Sequence, residues 1–363
     1  MRLWSTAGGG LDVTMEISTY CNAGCPQCHR TNPNGLGKAD WLPLIQWSLE
    51  EFKKAITIED FKYIKRISLV GTWGDSIMNK DIFEIVEYVI SNSIPVSIET
   101  NGSIRDENWW WNFGVMGGKL LTVRFDIDGI DQEMHTKYRR FTDLNKVLSN
   151  MNTLAQTKAK VGSQTIVFKH NQDYLEEILQ LCKDNGSSFH TNVISDRFND
   201  SSSVKFYDKS GVVNDKVFYF TNENGEKENF AEASRNILKK PIISGTSSNV
   251  LSEKIVCRWA QPRNSILIMP DGALLPCCYH GNGYFKYLQD GKEIALTKNQ
   301  HFKKYLDNKQ KYNVFENSIK DIINSEWFTQ TLPDSFNVDN PIPQCVQQCS
   351  SKIKKTHQLR EFI

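Results

Sequence analysis

No stretch of this chain stays apolar for the ~20 residues a helix needs to cross a bilayer. Its opening, MRLWSTAGGGLDVTMEIS, shows no apolar core after a basic start of the kind that directs export. A cytoplasmic protein without a membrane partner is the expectation. An excess of either charge is also missing, since 43 Lys and Arg stand against 42 Asp and Glu. Bulk attraction to nucleic acid is therefore excluded as an organising principle, and no internal repeat suggests a fibre or solenoid. With 363 residues, 39% hydrophobic and 23% charged, the composition is that of a soluble globular protein long enough for two domains, each with its own core.

Cysteine, by contrast, is plentiful. Nine of them in a chain without an export signal point away from disulfides and toward metal binding or catalysis, because a reducing cytosol keeps thiols free. Cys21, Cys25 and Cys28 lie together, and Cys257, Cys277, Cys278, Cys345 and Cys349 fall in the last third. Cys182 stands alone on the apolar face of LEEILQLCKDNG and reads as core.

The first 200 residues alternate strand-like and helix-like patterns, the signature of βα units around a parallel sheet. Strands are expected at 12–18, 66–71, 96–101, 121–128, 163–169 and 188–194, with helices at 49–64, 81–91, 106–113, 144–157 and 174–185. Ser48 with Glu51 forms a capping-box pattern for the first helix, and Asp173 is placed to cap the fifth. Six units fall short of the eight of a complete barrel, so the fold class is α/β, a partial (β/α)6 TIM-like barrel followed by a small α+β domain. Residues 1–198 form the barrel; 199–250, polar and rich in Ser, Asn and Lys, a connector; and 251–363 the second domain. That domain contains NSILIMPDGALLPCC, two apolar arms flanking the turn residues Pro270, Asp271 and Gly272.

Cys21, Cys25 and Cys28 follow the first strand and so sit at its C-terminal end, where the loops of βα barrels carry the chemistry. Three thiolates at this spacing can hold three irons of a cubane and leave the fourth open. The competing reading is a structural zinc site, with His29 as a fourth ligand, although the neighbour of Cys28 would share a tetrahedron awkwardly. Around the same mouth lie Gly71-Thr72-Trp73-Gly74-Asp75, Thr100-Asn101-Gly102, and Asp126 with Asp128 on one face of the fourth strand. Trp109, Trp110 and Trp111 point in different directions and are expected to anchor a helix rather than wall a substrate.

The C-x3-C-x2-C loop after the first strand of a partial barrel resembles the radical S-adenosylmethionine (SAM) superfamily. The resemblance implies a 4Fe-4S cluster on Cys21, Cys25 and Cys28 whose open iron chelates SAM. Reduction splits SAM to methionine and a 5'-deoxyadenosyl radical, which abstracts a substrate hydrogen. It further implies that Gly74 and Asp75, at the family's Gly-Gly-Glu segment, meet the SAM amino group, and that Thr100 and Asn101 match its Thr-Asn-Gly. FDIDG is similar to the family's Ser-Ile-Asp-Gly, with Asp126 at the serine position and Asp128 two residues on. Arg139 of Tyr138-Arg139 would hold the SAM carboxylate, and Val167 and Phe189 are candidates for the adenine pocket, or plain core.

The C-x14-G-x4-C pattern from Cys257 through Gly272 to Cys277 resembles SPASM and twitch auxiliary-cluster domains. With Cys345 and Cys349 it implies four ligands for one auxiliary 4Fe-4S cluster, the twitch arrangement. Cys278, beside Cys277, can hardly reach the same cubane. The function implied is SAM-dependent oxidation or modification of a small-molecule or peptide substrate, with an electron donor such as flavodoxin or ferredoxin. The alternatives are a non-enzymatic zinc protein stapled by the same cysteines, or an electron-transfer protein.

Overall fold

The computed structural model describes residues 3–6, 10–26, 28–31, 38–168, 170–193, 255–336 and 340–350. It also gives the backbone of short strands β7 (Phe206–Tyr207), β8 (Val213–Asn214), β9 (Tyr219–Thr221), β10 (Lys227–Asn229) and β13 (Gln358–Phe362). Apart from β7–β10, the connector at 199–250 lies outside the described residues.

Six parallel strands lie side by side in chain order: β1 (Leu11–Met15), β2 (Ile64–Leu69), β3 (Val96–Thr100), β4 (Leu121–Asp126), β5 (Lys160–Ile166) and β6 (Phe189–Val193). Alternation sets their faces: Leu11, Val13 and Met15 are buried in β1, as are Leu121, Val123 and Phe125 in β4. Crossover helices include α1 (Leu49–Ala55), α2 (Ile82–Ser91) and α3 (Glu107–Gly117). In α3, Trp110 is buried against Phe125 and Trp109 stacks on Phe113, so these two serve helix packing, whereas Trp111 faces solvent. Then follow α4 (Gln132–Tyr138), α5 (Leu144–Ala155) and α6 (Leu175–Asp184), with Cys182 buried in the core.

Several boundaries differ from the sequence expectation. The Ser48–Glu51 capping box forms, but α1 ends at Ala55 instead of 64. Both the backbone N–H and the hydroxyl of Thr57 donate to Asp60, at 2.8 and 2.7 Å, turning the chain before β2. Asp173 does not cap α6, whose N-cap is Tyr174 after a 3-10 turn. Helix α4 was not anticipated; its signal is Asp131, which caps it through Met134 N at 2.7 Å. The fifth strand runs three residues earlier than expected. Asn171 stops it by donating to Ile166 O (2.9 Å) and Asp128 O (3.1 Å) and accepting from Phe168 N (2.7 Å).

The hairpin around Pro270-Asp271-Gly272 forms from β11 (Ser265–Ile268) and β12 (Leu274–Leu275), with Gly272 at φ +84°. Its first arm pairs in parallel with β1, Val13 opposite Ile266, so the hairpin extends the barrel sheet past its first strand. One continuous hydrophobic core therefore runs from the barrel into the C-terminal helices, where Phe302, Tyr305 and Trp327 pack together.

Candidate active site

The cysteine loop leaves the C-terminal end of β1 and is pinned from two sides. Thr19 bonds back to Pro43 O (2.6 Å) and Ile45 O, and Asp75 N donates to Tyr20 O at 2.7 Å. Gly74 allows that approach, because a Cβ there would lie 2.2 Å from Ser18 O and 2.7 Å from Thr19 Cα, both main chain. Gly74→Ala is accordingly expected to displace the loop and cost about 1–3 kcal/mol in urea unfolding of the full chain. An unchanged midpoint would contradict the packing described.

Cys21, Cys25 and Cys28 line one cavity of about 340 Å³ at the barrel mouth, together with Gly74, Asp75, Thr100, Asn101, Asp126 and Arg139. Burial pushes the Cys21 thiol up and the Cys25 thiol to about 12. Donors nevertheless face the sulfur of Cys21, Ala23 N at 3.4 Å and Asn101 Nδ2 at 3.7 Å. Desolvated Cys21 and Cys25 thiols that share one lining with Cys28, with N–H groups aimed at the Cys21 sulfur, suit iron, whose positive charge stabilises the thiolate form. His29 is exposed, with its ring against Trp73.

Asp75 organises the second and third strand ends. Its carboxylate accepts from Ile77 N (3.0 Å), Thr100 Oγ1 (2.9 and 3.0 Å), Asn101 N (2.9 Å) and Asn101 Nδ2 (2.7 Å). No lysine or arginine ion-pairs with it among the described residues, and burial lifts it from 3.8 to about 6 despite those bonds. A buried carboxylate held only by neutral donors beside an open cavity fits a cationic ligand group.

On the facing wall the two carboxylates of β4 and its extension find a protein partner. Arg139 Nε donates to Asp128 at 2.6 Å and Nη1 to Asp126 at 2.8 Å. Although burial opposes its charge, Asp126 and Asp128 hold Arg139 protonated well above its ordinary value. The arginine expected to use its fork on a SAM carboxylate thus spends two nitrogens inside the protein, leaving Nη2 without a bond inside the described residues. Asp128 is fully buried and lies behind the cavity wall, not on it.

Neither candidate for the adenine pocket, Val167 or Phe189, lines this cavity. Because β5 ends at Ile166, that residue lines the cavity and Val167 is buried away from it. Phe189 begins β6 at the opposite end of the barrel, packed over Gly162, and Val193 reaches the cavity instead. Sequence reading also missed Arg30, Glu99, Arg124 and Gln164, all on the lining. Arg124 was discoverable, since it shares a strand face with Asp126.

In the C-terminal region Cys257, Cys277, Cys345 and Cys349 line a second, small pocket with Trp259 and His280. Cys278 is off that lining. The backbone N–H groups of Tyr279 and His280 near Cys277, and of Trp259 and Ala260 near Cys257, pull those thiols down against the rise. His280 Nε2 lies 3.5 Å from Cys345 Sγ. Contact with Cys349 and burial raise the Cys257 thiol, and burial raises Cys277 and Cys345. Four cysteines on one lining, two of them eased toward the thiolate by nearby backbone N–H groups, again fit an iron-sulfur ligand set.

Residues 15–182 match the radical SAM superfamily, and residues 257–350 match SPASM, an iron-sulfur cluster-binding domain. The two matches together place a radical SAM domain and a SPASM domain in this chain. A radical SAM domain implies a 4Fe-4S cluster and SAM, and a SPASM domain implies auxiliary iron-sulfur. The AdoMet-dependent heme synthase of Methanosarcina barkeri is 22% identical over 176 residues, 48% of each chain. Mycofactocin maturase MftC of Mycolicibacterium smegmatis is 25% identical over 192 residues, 49% of this chain and 44% of that protein. The chain spans about half the length of the curated relatives it matches. Streptococcus suis SuiB bound to S-adenosylmethionine shares the fold, with a TM-score of 0.56 over 91% of this chain and 68% of SuiB at 14% identity. No helix among the described residues is long and apolar enough to cross a membrane.

Proposed function

We propose that this protein is a radical SAM enzyme with one auxiliary 4Fe-4S cluster that oxidises or otherwise modifies a peptide or small molecule. The barrel would occupy 1–198, a connector 199–250 and the cluster domain 251–363. The carrying observation is the single cavity that joins three cysteines to a buried, cation-free Asp75 and a clamped Arg139. When bound, the cluster and SAM supply reductive cleavage to methionine and a 5'-deoxyadenosyl radical.

Each protein group has a defined task. Cys21, Cys25 and Cys28 would hold the cluster. Asp75, kept in place by Thr100 and Asn101, would accept the SAM ammonium, and Arg139, aimed by Asp126 and Asp128, would offer Nη2 to the carboxylate. Ile166, Val193 and Tyr138 give the cavity its apolar surface and help to exclude water. Cys257, Cys277, Cys345 and Cys349 would hold the auxiliary cluster, which exchanges an electron with the substrate or helps to position it. The electron for SAM would come from a flavodoxin or ferredoxin. A peptide substrate is supported by SuiB, solved bound to its precursor peptide SuiA.

The test is release of 5'-deoxyadenosine and methionine from SAM by anaerobically reconstituted protein under dithionite, followed by mass spectrometry of cell extract incubated with it. Clusters without SAM cleavage would make it an electron-transfer protein instead.

A pH dependence follows from Asp75. Its folded value is raised to about 6, so the SAM-free protein favours the protonated form below that pH, and this contribution to stability is lost as the pH rises through 6. A bound ammonium needs the ionised form. SAM affinity in equilibrium dialysis is therefore expected to fall below pH 6, at most about tenfold per unit, and to level off above it. A flat profile from pH 5 to 8 would remove Asp75 from the ammonium contact.

A further inference from the structure

Six charged side chains line the barrel cavity: Arg30, Asp75, Glu99, Arg124, Asp126 and Arg139. Arg124 pairs with Glu99, and Arg139 with Asp126. Asp75 is held by neutral donors, and in the function proposed above it receives the ammonium of SAM. That leaves Arg30, two residues beyond Cys28.

Arg30 is 6% exposed. Its Nη2 donates to the Thr19 carbonyl at 3.3 Å, its Nε has no partner, and no carboxylate ion-pairs with it among the described residues. Its main chain is fixed, with Ala39 N donating to Arg30 O. Arg30 lies near enough to Cys21 to favour its thiolate. Its only hydrogen-bond acceptor among the described residues is nevertheless a neutral carbonyl and its Nε is unbonded, so the guanidinium can still take a hydrogen-bonding anion from the cavity. Guanidinium geometry matches a carboxylate or a phosphate, whose two oxygens can accept parallel N–H bonds.

We propose that Arg30 binds an anionic group of the substrate, a carboxylate or phosphate, inside the barrel cavity. This rests on the proposed function, in which Arg139 meets the SAM carboxylate and Arg30 has no anion assigned. It restricts the substrate to acidic molecules or to peptides presenting a carboxylate at the modified segment.

The experiment uses the full chain, reconstituted and loaded with SAM, titrated calorimetrically with inorganic phosphate and with acetate. The wild type is expected to bind at least one of them saturably. Arg30→Gln should weaken that binding about tenfold or more, and Arg30→Lys, which keeps the charge but loses the fork, less. SAM affinity should change less than about twofold in either variant. The two probes separate a phosphate from a carboxylate preference. Iron content and circular dichroism establish that the variants are folded, and Arg30→Lys carries the comparison if Arg30→Gln is not. Absence of saturable binding to the wild type, or equal binding by a folded variant, overturns the proposal. So does a loss of SAM affinity with probe binding unchanged, which would give Arg30 to SAM. Failure of the wild type to release 5'-deoxyadenosine would instead sink the proposed function, so the two failures are distinguishable.

Discussion

Anaerobically reconstituted Cys28→Ala protein is expected to release no 5'-deoxyadenosine from SAM under dithionite, a loss of at least about a thousandfold, beyond the 10–100-fold that outer-shell partners of a metal site cost. The reason is stoichiometric. Three sulfurs around one cavity can each hold one iron, and two cannot present the same open corner. Cys349→Ala should behave differently, because its sulfur lines the other pocket. Uncoupled SAM cleavage should persist in that variant while conversion of the substrate stops. Equal loss of cleavage in both would erase the division of labour between barrel and C-terminal domain.

The second large effect concerns stability. Asp128 is fully buried and binds the Arg139 guanidinium at 2.6 Å, so Asp128→Ala leaves a buried cation short of its partner. Removing one member of such a pair costs about 3–5 kcal/mol. Asp126, whose side chain is 13% exposed, should cost less when replaced, since water can reach the vacated site. Urea unfolding of both variants checks the order. A smaller loss for Asp128→Ala than for Asp126→Ala would show that the clamp is not where the stability lies.

Local chemistry was legible in the sequence wherever neighbours along the chain decide it. The alternation of Val13 and Met15, the Ser48–Glu51 capping box and the placement of Cys21, Cys25 and Cys28 after the first strand appear in the structure, although that strand spans Leu11–Met15 and not the expected 12–18. What could not be read depends on partners distant in sequence. Asp126 and Asp128 were seen to share a face, but nothing local reveals that Arg139 closes on both. Val167 lies off the lining for a simpler reason: strand faces have a period of two, and Gln164 and Ile166 occupy the cavity face. The hairpin was visible from its turn residues, whereas its parallel pairing with β1 joins residues some 250 apart in the chain, Asp12 with Ser265. Arg30 was passed over because an unpaired charge is recognised only after every other charge in the cavity has been paired.

The central claim is that the cysteine triad leaves an iron position to which SAM binds. Electron paramagnetic resonance of the reduced, reconstituted full chain, recorded with and without SAM, tests it most directly. The account predicts a 4Fe-4S signal that changes on adding SAM in the wild type and in Cys349→Ala, and that is lost from the barrel site in Cys28→Ala. A wild-type signal indifferent to SAM, or zinc in place of iron at those three sulfurs, would contradict it.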